Sequence, residues 1–274
     1  MLKLDGWHTA EQIAPQTYRI DEGQLANCYL LLGDARALLI DTGNGMGRIR
    51  DAVSLLTKLP VDVVLTHRHC DHAGGAGFFD RCFVHPGDLA PVYGMASSAI
   101  AARMLAARIA AGSDFPKRPH APRYAPIQEG HAFVLGYRRV WVLHTPGHSR
   151  GSVVLLDERE RLMFTGDNVA PTLWLWLPGA VPVETWLAGA RRILSLCGRY
   201  TPYYGHGDGR QNAHQIQTLV ALGEALLEKT VHNAPFGRTR AFPANRGETF
   251  LLYNTARVLA KQSGAAGATS GRRG

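Results

Sequence analysis

The most informative stretch of this sequence is His67-Arg68-His69-Cys70-Asp71-His72. Four of its six residues carry an imidazole or a carboxylate, the groups that bind zinc, iron or manganese in proteins. The preceding segment, Val61-Asp62-Val63-Val64-Leu65-Thr66, is typical of a buried strand, and Gly74 and Gly75 follow closely. A strand that ends in clustered ligands and a glycine turn directs several lone pairs at one point. We therefore predict a metal site at the strand end rather than a run of surface histidines.

Three further segments place a metal-binding side chain just after an apolar run. Thr145-Pro146-Gly147-His148 has a histidine on a Pro-Gly turn, Phe164-Thr165-Gly166-Asp167 ends in an aspartate, and Tyr204-Gly205-His206-Gly207 has a histidine between glycines. Loops carried by a rigid scaffold are where binding residues are expected. The sequence thus predicts these candidate metal ligands: His67, His69, Asp71, His72, His148, Asp167 and His206.

This ligand set predicts a site for two metal ions. It is too large for one tetrahedral zinc ion, and it suits two ions that share a carboxylate and a water. Two metals about 3.5–4 Å apart can deprotonate a bridging water, and the resulting hydroxide would be the nucleophile. Asp71 would also orient that hydroxide and later help to protonate the leaving group. We predict two zinc ions, with iron or manganese as the alternatives.

Together with Leu39-Ile40-Asp41-Thr42-Gly43, these segments closely resemble the metallo-β-lactamase superfamily of hydrolases. They occur in the family's order and span about residues 29–209. The resemblance implies an α+β fold, a four-layer αββα sandwich, in which Asp41 lies close to the metal loop and orients ligand imidazoles. By the resemblance, the ligands divide as follows: His67, His69 and His148 for one metal, Asp71, His72 and His206 for the second, and Asp167 as the bridge.

The resemblance also narrows the reaction. In related flavo-diiron proteins a glutamate stands where His69 stands here, which argues against that redox branch. Asp167 favours the glyoxalase II-like, lactonase-like and phosphodiesterase-like hydrolases, because true metallo-β-lactamases typically lack the bridging aspartate. We predict hydrolysis of an ester, thioester, lactone or phosphoester of a small molecule. The alternatives are β-lactam hydrolysis as a side reaction, an iron-dependent persulfide dioxygenase, and a metal-binding or partner-binding protein without catalysis.

The chain length predicts one large domain with a substantial core, since the sequence has 274 residues. We predict a single domain of the metallo-β-lactamase fold over residues 1–262, with a variable helical and loop insertion at about 86–126. The sequence leaves open whether this insertion packs against the core or caps the site. The sequence further predicts a last helix over 248–262 and a disordered tail over 263–274, which is rich in Gly and Ala.

Composition is that of a soluble enzyme, with 46% hydrophobic and 19% charged residues. No apolar run reaches about 18 residues, so we predict no membrane span. The N-terminus has no signal-like apolar core, and a cytoplasmic location is expected. The net charge is +8, but the basic residues are scattered. This argues against nucleic acid and favours a small, anionic substrate. The sequence leaves the oligomeric state open and does not exclude a dimer.

Aromatic residues near the predicted ligands are candidates for the substrate pocket. In Leu173-Trp174-Leu175-Trp176-Leu177, the alternation places both indoles on one face, where they would form an apolar wall beside the metals. Tyr204 precedes His206 closely, and its hydroxyl would face a developing oxyanion. Cys70 is expected to point away from the metals, because its neighbours point toward them.

Overall fold

A computed structural model describes residues 1–89, 122–177, 179–229, 239–242 and 249–254 of the chain. The predicted tail at 263–274 lies outside these residues. The same holds for most of the predicted insertion at 86–126, so the predictions on these segments and on domain limits remain predictions.

The first sheet has eight strands in sequential order. The strands from β1 to β5 pair in antiparallel fashion, and those from β5 to β8 pair in parallel. Their bounds are β1 Leu2–Lys3, β2 His8–Ala14, β3 Thr17–Glu22, β4 Ala26–Leu32, β5 Ala37–Ile40, β6 Val61–Val64, β7 Arg81–Val84 and β8 Arg123–Pro126.

Two further sheets lie in the second half of the chain. They contain β9 Ala132–Val134, β10 Arg139–His144, β11 Val153–Asp157, β12 Leu162–Phe164, β13 Thr172–Leu175, β14 Thr201–Tyr203, β15 Thr239–Phe242 and β16 Phe250–Asn254. The second sheet has the order β14-β12-β11-β10-β9, and the third has the order β13-β16-β15. The helices are α1 Ile49–Leu56, α2 Cys70–Ala73, α3 Val183–Leu196 and α4 Ala213–Lys229. Among the described residues, none of the helices has the length and apolar character needed to span a bilayer.

Alternating side chains stack these elements into four layers. In β4, Leu30 packs on one face with Ile49 of α1, whereas Leu31 packs on the other face with residues of the second sheet. In β12, Met163 packs on the outer face of the second sheet with Trp186 of α3. The order α-β-β-α follows, because both faces of each sheet are apolar and each must be covered. The predicted α+β fold, a four-layer αββα sandwich, is confirmed.

The C-terminal part corrects one prediction. Residues 248–262 were expected to form a helix, but Phe250–Asn254 is strand β16. It pairs in parallel with β13, with Leu173 opposite Leu251, and Leu251 is fully buried in the outer core. The pairing and burial decide the conformation here, because local propensity is a weak preference that tertiary contacts override.

The topology brings the ends of several strands to one edge of the sandwich. β12 and β14 pair in parallel. β10 and β12 are both antiparallel to β11, so β10 runs in the same direction as β12 and β14. The first sheet joins the same edge where the Val153 amide donates a hydrogen bond of 2.9 Å to the Thr66 carbonyl. The loops that follow β6, β10, β12 and β14 therefore meet, and these loops carry the predicted ligands.

Candidate metal centre

The predicted ligands lie in two neighbouring groups. In each group the potential ligand atoms lie within 4.8 Å of one another. The first group is His67, His69 and His148, and the second group is Asp71, His72, Asp167 and His206.

In the first group, hydrogen bonds on the outer ring nitrogens direct lone pairs inward. The Thr66 hydroxyl donates to Asp41, so it accepts the Nδ1–H of His67 at 3.1 Å. His148 donates its Nδ1–H to the carbonyl of Trp174 at 2.7 Å. The Nε2 atoms of both rings are thereby left as acceptors. Nδ1 of His69 lies 2.7 Å from Nε2 of His148.

The second group has the same design. His72 donates its Nδ1–H to Oδ2 of Asp41 at 2.8 Å, and His206 donates its Nδ1–H to the carbonyl of Leu25 at 2.8 Å. The Nε2 atoms of these two rings face Asp167, at 3.3 Å from Oδ1 and 3.0 Å from Oδ2 respectively. Oδ2 of Asp71 lies 3.7 Å from Nε2 of His206.

Asp167 lies between the two groups. Its Oδ2 is 3.0 Å from Nε2 of His206 and 3.7 Å from Nε2 of His148 in the first group. Gly205 is required beside it, because a Cβ at that position would lie 2.6 Å from Oδ1 of Asp167. Oδ2 of Asp167 thus lies near an imidazole nitrogen of each group.

The donor atoms fit metal ions. His67 Nε2 is buried and has no hydrogen-bond partner, and the buried atoms His72 Nε2 and Asp167 Oδ1 make no hydrogen bond and face each other at 3.3 Å. Buried polar atoms without a partner cost about 1–3 kcal/mol each, and a cation among them removes that cost. Imidazoles oriented by a hydrogen bond on the other ring nitrogen are the usual form of metal-binding histidine. Imidazole and carboxylate donors suit zinc, iron and manganese.

The two groups differ in their protonation. Burial, followed by repulsion from neighbouring imidazoles, lowers the pKa of His67 well below its ordinary value, and burial lowers the pKa of His148 to about 4. Burial also opposes the cationic form of His206, but attraction by Asp167 outweighs it and raises the pKa of His206 to about 9. The same balance raises the pKa of His72 well above its ordinary value. Carboxylates inside the second group cause this difference.

Asp41 supports both groups from behind. Its Oδ1 accepts a hydrogen bond from the Thr66 amide and its Oδ2 accepts one from the Thr66 hydroxyl, each at 2.7 Å. Oδ2 also accepts the Nδ1–H of His72. The residue has a φ of 61°, a left-handed backbone that a non-glycine residue adopts only when its surroundings fix it. Asp41 thus orients His72 directly and His67 through Thr66.

The sequence did not predict two residues that support the ligand loops. The side-chain oxygen of Asn168 accepts a hydrogen bond from the His148 amide at 2.9 Å, and its Nδ2 donates to the Thr145 carbonyl at 2.8 Å. Asn168 follows Asp167 directly, and that adjacency was the available signal. The second residue, Asp88, joins the loops of the first group and has no comparable signal in the sequence.

A cavity of about 340 Å³ opens onto both groups. Its wall includes Ala170, Trp174, Leu177 and Tyr204, in addition to metal ligands. Trp176 is not among the described residues that line the cavity, although its ring lies 5.9 Å from that of Trp174. Cys70, which was expected to point away, is among the lining residues. The side of the cavity away from the ligands is therefore mainly apolar.

Comparison with known protein families agrees with this geometry. The model of the metallo-β-lactamase superfamily matches residues 22–218, which include all the candidate ligands. The chain belongs to the metallo-β-lactamase superfamily. Membership in the superfamily, together with the ligand set, supports a hydrolase.

Relatives within the metallo-β-lactamase superfamily include thioesterases. Acyl-coenzyme A thioesterase MBLAC2 of Gallus gallus is 32% identical over 199 residues, covering 65% of this chain and 70% of that protein. Atrochrysone carboxyl ACP thioesterase nsrC of Aspergillus novofumigatus is 31% identical and covers 74% of this chain and 58% of that protein. The crystal structure of TTHA1623 in a di-iron-bound form has a TM-score of 0.50 and 29% identity, and covers 76% of this chain and 96% of that one.

Proposed function

We propose that this protein is a metal-dependent hydrolase of thioesters that holds two metal ions. The observation that supports the proposal is the convergence of the seven candidate ligands into two groups beside a cavity with an apolar wall, with Asp167 of the second group 3.7 Å from His148 of the first. The thioesterase names of the relatives support a thioester as the bond cleaved. Of the ester, thioester, lactone and phosphoester bonds that the superfamily offers, we therefore propose the thioester.

The first group and the second group would each hold one metal, with Asp167 as the shared ligand. When bound, a pair of divalent cations acidifies a water and polarises a carbonyl oxygen. The contribution of the protein is to hold the ligand side chains in place through hydrogen bonds on their outer ring nitrogens. Asp71 lines the cavity, and its Oδ2 lies near Nε2 of His206. We propose that this carboxylate accepts the proton of the attacking water and returns it to the leaving thiolate.

Zinc is the proposed metal, and iron is the competing one. The donor set suits both ions, and TTHA1623 is a relative whose structure is described as di-iron-bound. A complete second group favours two ions over the single iron of a persulfide dioxygenase. We therefore propose hydrolysis rather than oxygenation. Among the described residues, no feature of the cavity favours β-lactam opening.

The cavity wall indicates which part of the substrate it contacts. Ala170, Trp174 and Leu177 form an apolar surface beside the ligands, and burial of apolar area there favours an apolar acyl group. The polypeptide that carries this wall also orients a ligand, because the Trp174 carbonyl accepts the hydrogen bond from His148. The net charge of +8 favours a thioester whose carrier bears phosphates.

A substrate panel tests the proposal. The purified protein, loaded with zinc or with iron, is assayed on acyl-coenzyme A thioesters of several chain lengths, an oxygen ester, a lactone, nitrocefin and bis(p-nitrophenyl) phosphate. Oxygen uptake is measured separately with glutathione persulfide. The proposal expects release of free thiol from the acyl thioesters at the highest kcat/KM of the panel. Oxygen consumption without thioester cleavage would contradict it.

A further inference from the structure

Asp88 is a buried carboxylate that has no part in the proposed hydrolysis. Its exposed fraction is 1%, and it ends the short 3-10 turn Pro86–Asp88 that follows β7. A carboxylate is rarely buried to this degree unless it is paired or fully hydrogen-bonded. Its partners therefore indicate what it does.

The partners of Asp88 lie on the two loops that carry the first group. Its Oδ2 accepts a hydrogen bond from the Arg68 backbone N–H at 3.1 Å and one from the Ser149 hydroxyl at 2.7 Å. Its Oδ1 accepts a hydrogen bond from the Gly151 N–H at 2.8 Å. Arg68 stands between two ligands of the first loop, and Ser149 directly follows the ligand of the second loop.

The carboxylate thus links the two sheets at the metal edge. The loop after β6 belongs to the first sheet and holds His67 and His69, and the loop after β10 belongs to the second sheet and holds His148. Nδ1 of His69 and Nε2 of His148 lie 2.7 Å apart across this junction. His69 can donate its Nδ1–H to Nε2 of His148 here, but as metal ligands both nitrogens would present lone pairs, which do not attract each other, so their separation would then depend on how the two loops are held.

Only an acceptor can make this link. The three partners are two backbone N–H groups and a hydroxyl, and each can donate. An ionised carboxylate accepts on both oxygens, whereas an amide would turn an NH₂ group toward a backbone N–H. Charge-assisted hydrogen bonds of this kind are stronger than neutral ones. Asp88 is therefore not interchangeable with asparagine, although the two side chains have nearly the same shape.

Close packing fixes the turn against the second loop. A Cβ at Gly151 would lie 2.6 Å from Cγ of Asp88, and a Cβ at Gly87 would lie 2.8 Å from the Arg150 carbonyl oxygen. The Arg68 guanidinium also donates to the Asp88 carbonyl at 3.3 Å. The turn Pro86–Asp88 therefore contacts the second loop at Gly87 and Gly151, and it contacts the first loop through Arg68.

We propose that Asp88 is a positioning residue that fixes the placement of His67, His69 and His148 relative to one another, so that they form one metal site. This inference rests on the proposed function only in that these imidazoles bind a metal. It deepens that proposal, because it assigns the geometry of the first group to a residue that binds neither metal nor substrate.

Zinc affinity of the first group alone tests the proposal. The double variant Asp71→Ala/His206→Ala is the parent protein, since it removes two ligands of the second group and keeps the first. Zinc binding to this parent, with and without Asp88→Asn, is measured by competition with a chromophoric chelator. Asp157→Asn is the matched control, because Asp157 is also a buried carboxylate but pairs with Arg138 away from the ligand loops.

The proposal expects Asp88→Asn to weaken zinc binding about 10- to 100-fold, as for other residues that orient ligands. Asp157→Asn should lower the urea midpoint and leave zinc affinity within about twofold. Equal zinc affinity of the parent and Asp88→Asn, or equal losses in both variants, would overturn the positioning role alone. A parent that binds no zinc would overturn this role and the proposed metal site together.

A milder variant covers the case in which Asp88→Asn does not fold. Ser149→Ala removes one of the three donors and leaves the carboxylate and both backbone hydrogen bonds in place. It should weaken zinc binding to the first group by a smaller factor, with an unchanged urea midpoint. Zinc affinity equal to that of the parent would overturn the proposal.

Discussion

The first ligand group and the second ligand group lie side by side, but they are built differently. The first consists of three buried imidazoles, among which the pKa of His148 is about 4, so its rings are neutral near pH 7. The second combines two imidazoles with two carboxylates, and the pKa of His206 is about 9 in the metal-free protein. A metal enters the first group without displacing a proton, whereas in the second it must displace at least one.

The difference also concerns access. The three side chains of the first group are buried, whereas Asp71, Asp167 and His206 of the second group are partly exposed, although both groups contribute side chains to the cavity wall. We therefore expect a metal to bind the first group without a pH dependence near neutrality, whereas its binding to the second group should depend on pH. The contrast teaches that equivalent ligand types acquire different roles from the charge of their neighbours.

Removal of Asp167 has the largest expected effect, because this residue joins the groups. Asp167→Ala should lower kcat/KM for a thioester by on the order of 10³-fold, equivalent to about 4 kcal/mol, and should leave the second group unloaded. Thiol release and metal content of the purified variant measure both effects. Asp208→Ala, an exposed carboxylate on the same loop as His206, is the control. Two bound metals with an unchanged rate would remove Asp167 from the bridging position.

The pH dependence of metal binding sharpens the comparison next. Because the pKa of His206 is raised to about 9 and that of His72 is also raised well above its ordinary value, zinc affinity of the second group should fall at least tenfold for each pH unit below about 9. The affinity of the first group should stay nearly constant until the pH approaches the pKa of His148, about 4. Stepwise zinc titrations between pH 6 and pH 9 measure both. Parallel pH slopes for the two steps would mean that the groups do not differ in protonation.

The cavity wall gives a smaller effect. Trp174→Leu should raise KM for a long acyl thioester about tenfold, or about 1.4 kcal/mol, and should change that for an acetyl thioester much less. The reason is the loss of apolar contact area beside the ligands. Trp176→Leu is the matched control, since that indole neighbours Trp174 but does not line the cavity. A chain-length dependence that Trp174→Leu leaves unchanged would place the acyl group elsewhere.

His8 provides the smallest effect and a reference outside both groups. This buried imidazole contacts Asp5 and Glu22, and although burial opposes its cationic form, these carboxylates raise its pKa above the ordinary value. A raised folded-state pKa stabilises the protein fully below about pH 6.5, and this contribution is lost as the pH rises through the folded value.

The His8→Gln variant tests this sign. The difference in unfolding free energy between the wild-type protein and the variant should shrink by on the order of 1 kcal/mol between pH 6 and pH 9. Urea unfolding at several pH values measures it. A difference that grows with pH would show that His8 is neutral in the folded protein.

The sequence predicted residues that the structure brings together, because these candidate ligands stand in short segments with recognisable spacing. The stretch from His67 to His72 contains four of them, and its position after a buried strand is visible without any tertiary information. Asp88 was not predictable, since its link to Ser149 spans 61 residues and depends on the packing of two sheets. The strand Phe250–Asn254 was taken for a helix for the same reason, because its partner is β13.

Metal content of the protein purified without added metal is the decisive measurement for a thioester hydrolase with two metal ions. Elemental mass spectrometry at pH 8, followed by thiol release from an acyl thioester, measures loading and activity on one sample. We expect about two metal ions per chain, with zinc as the proposed metal, and thioester cleavage that disappears when the metals are removed. About one iron per chain, with oxygen uptake and no thioester cleavage, would contradict it.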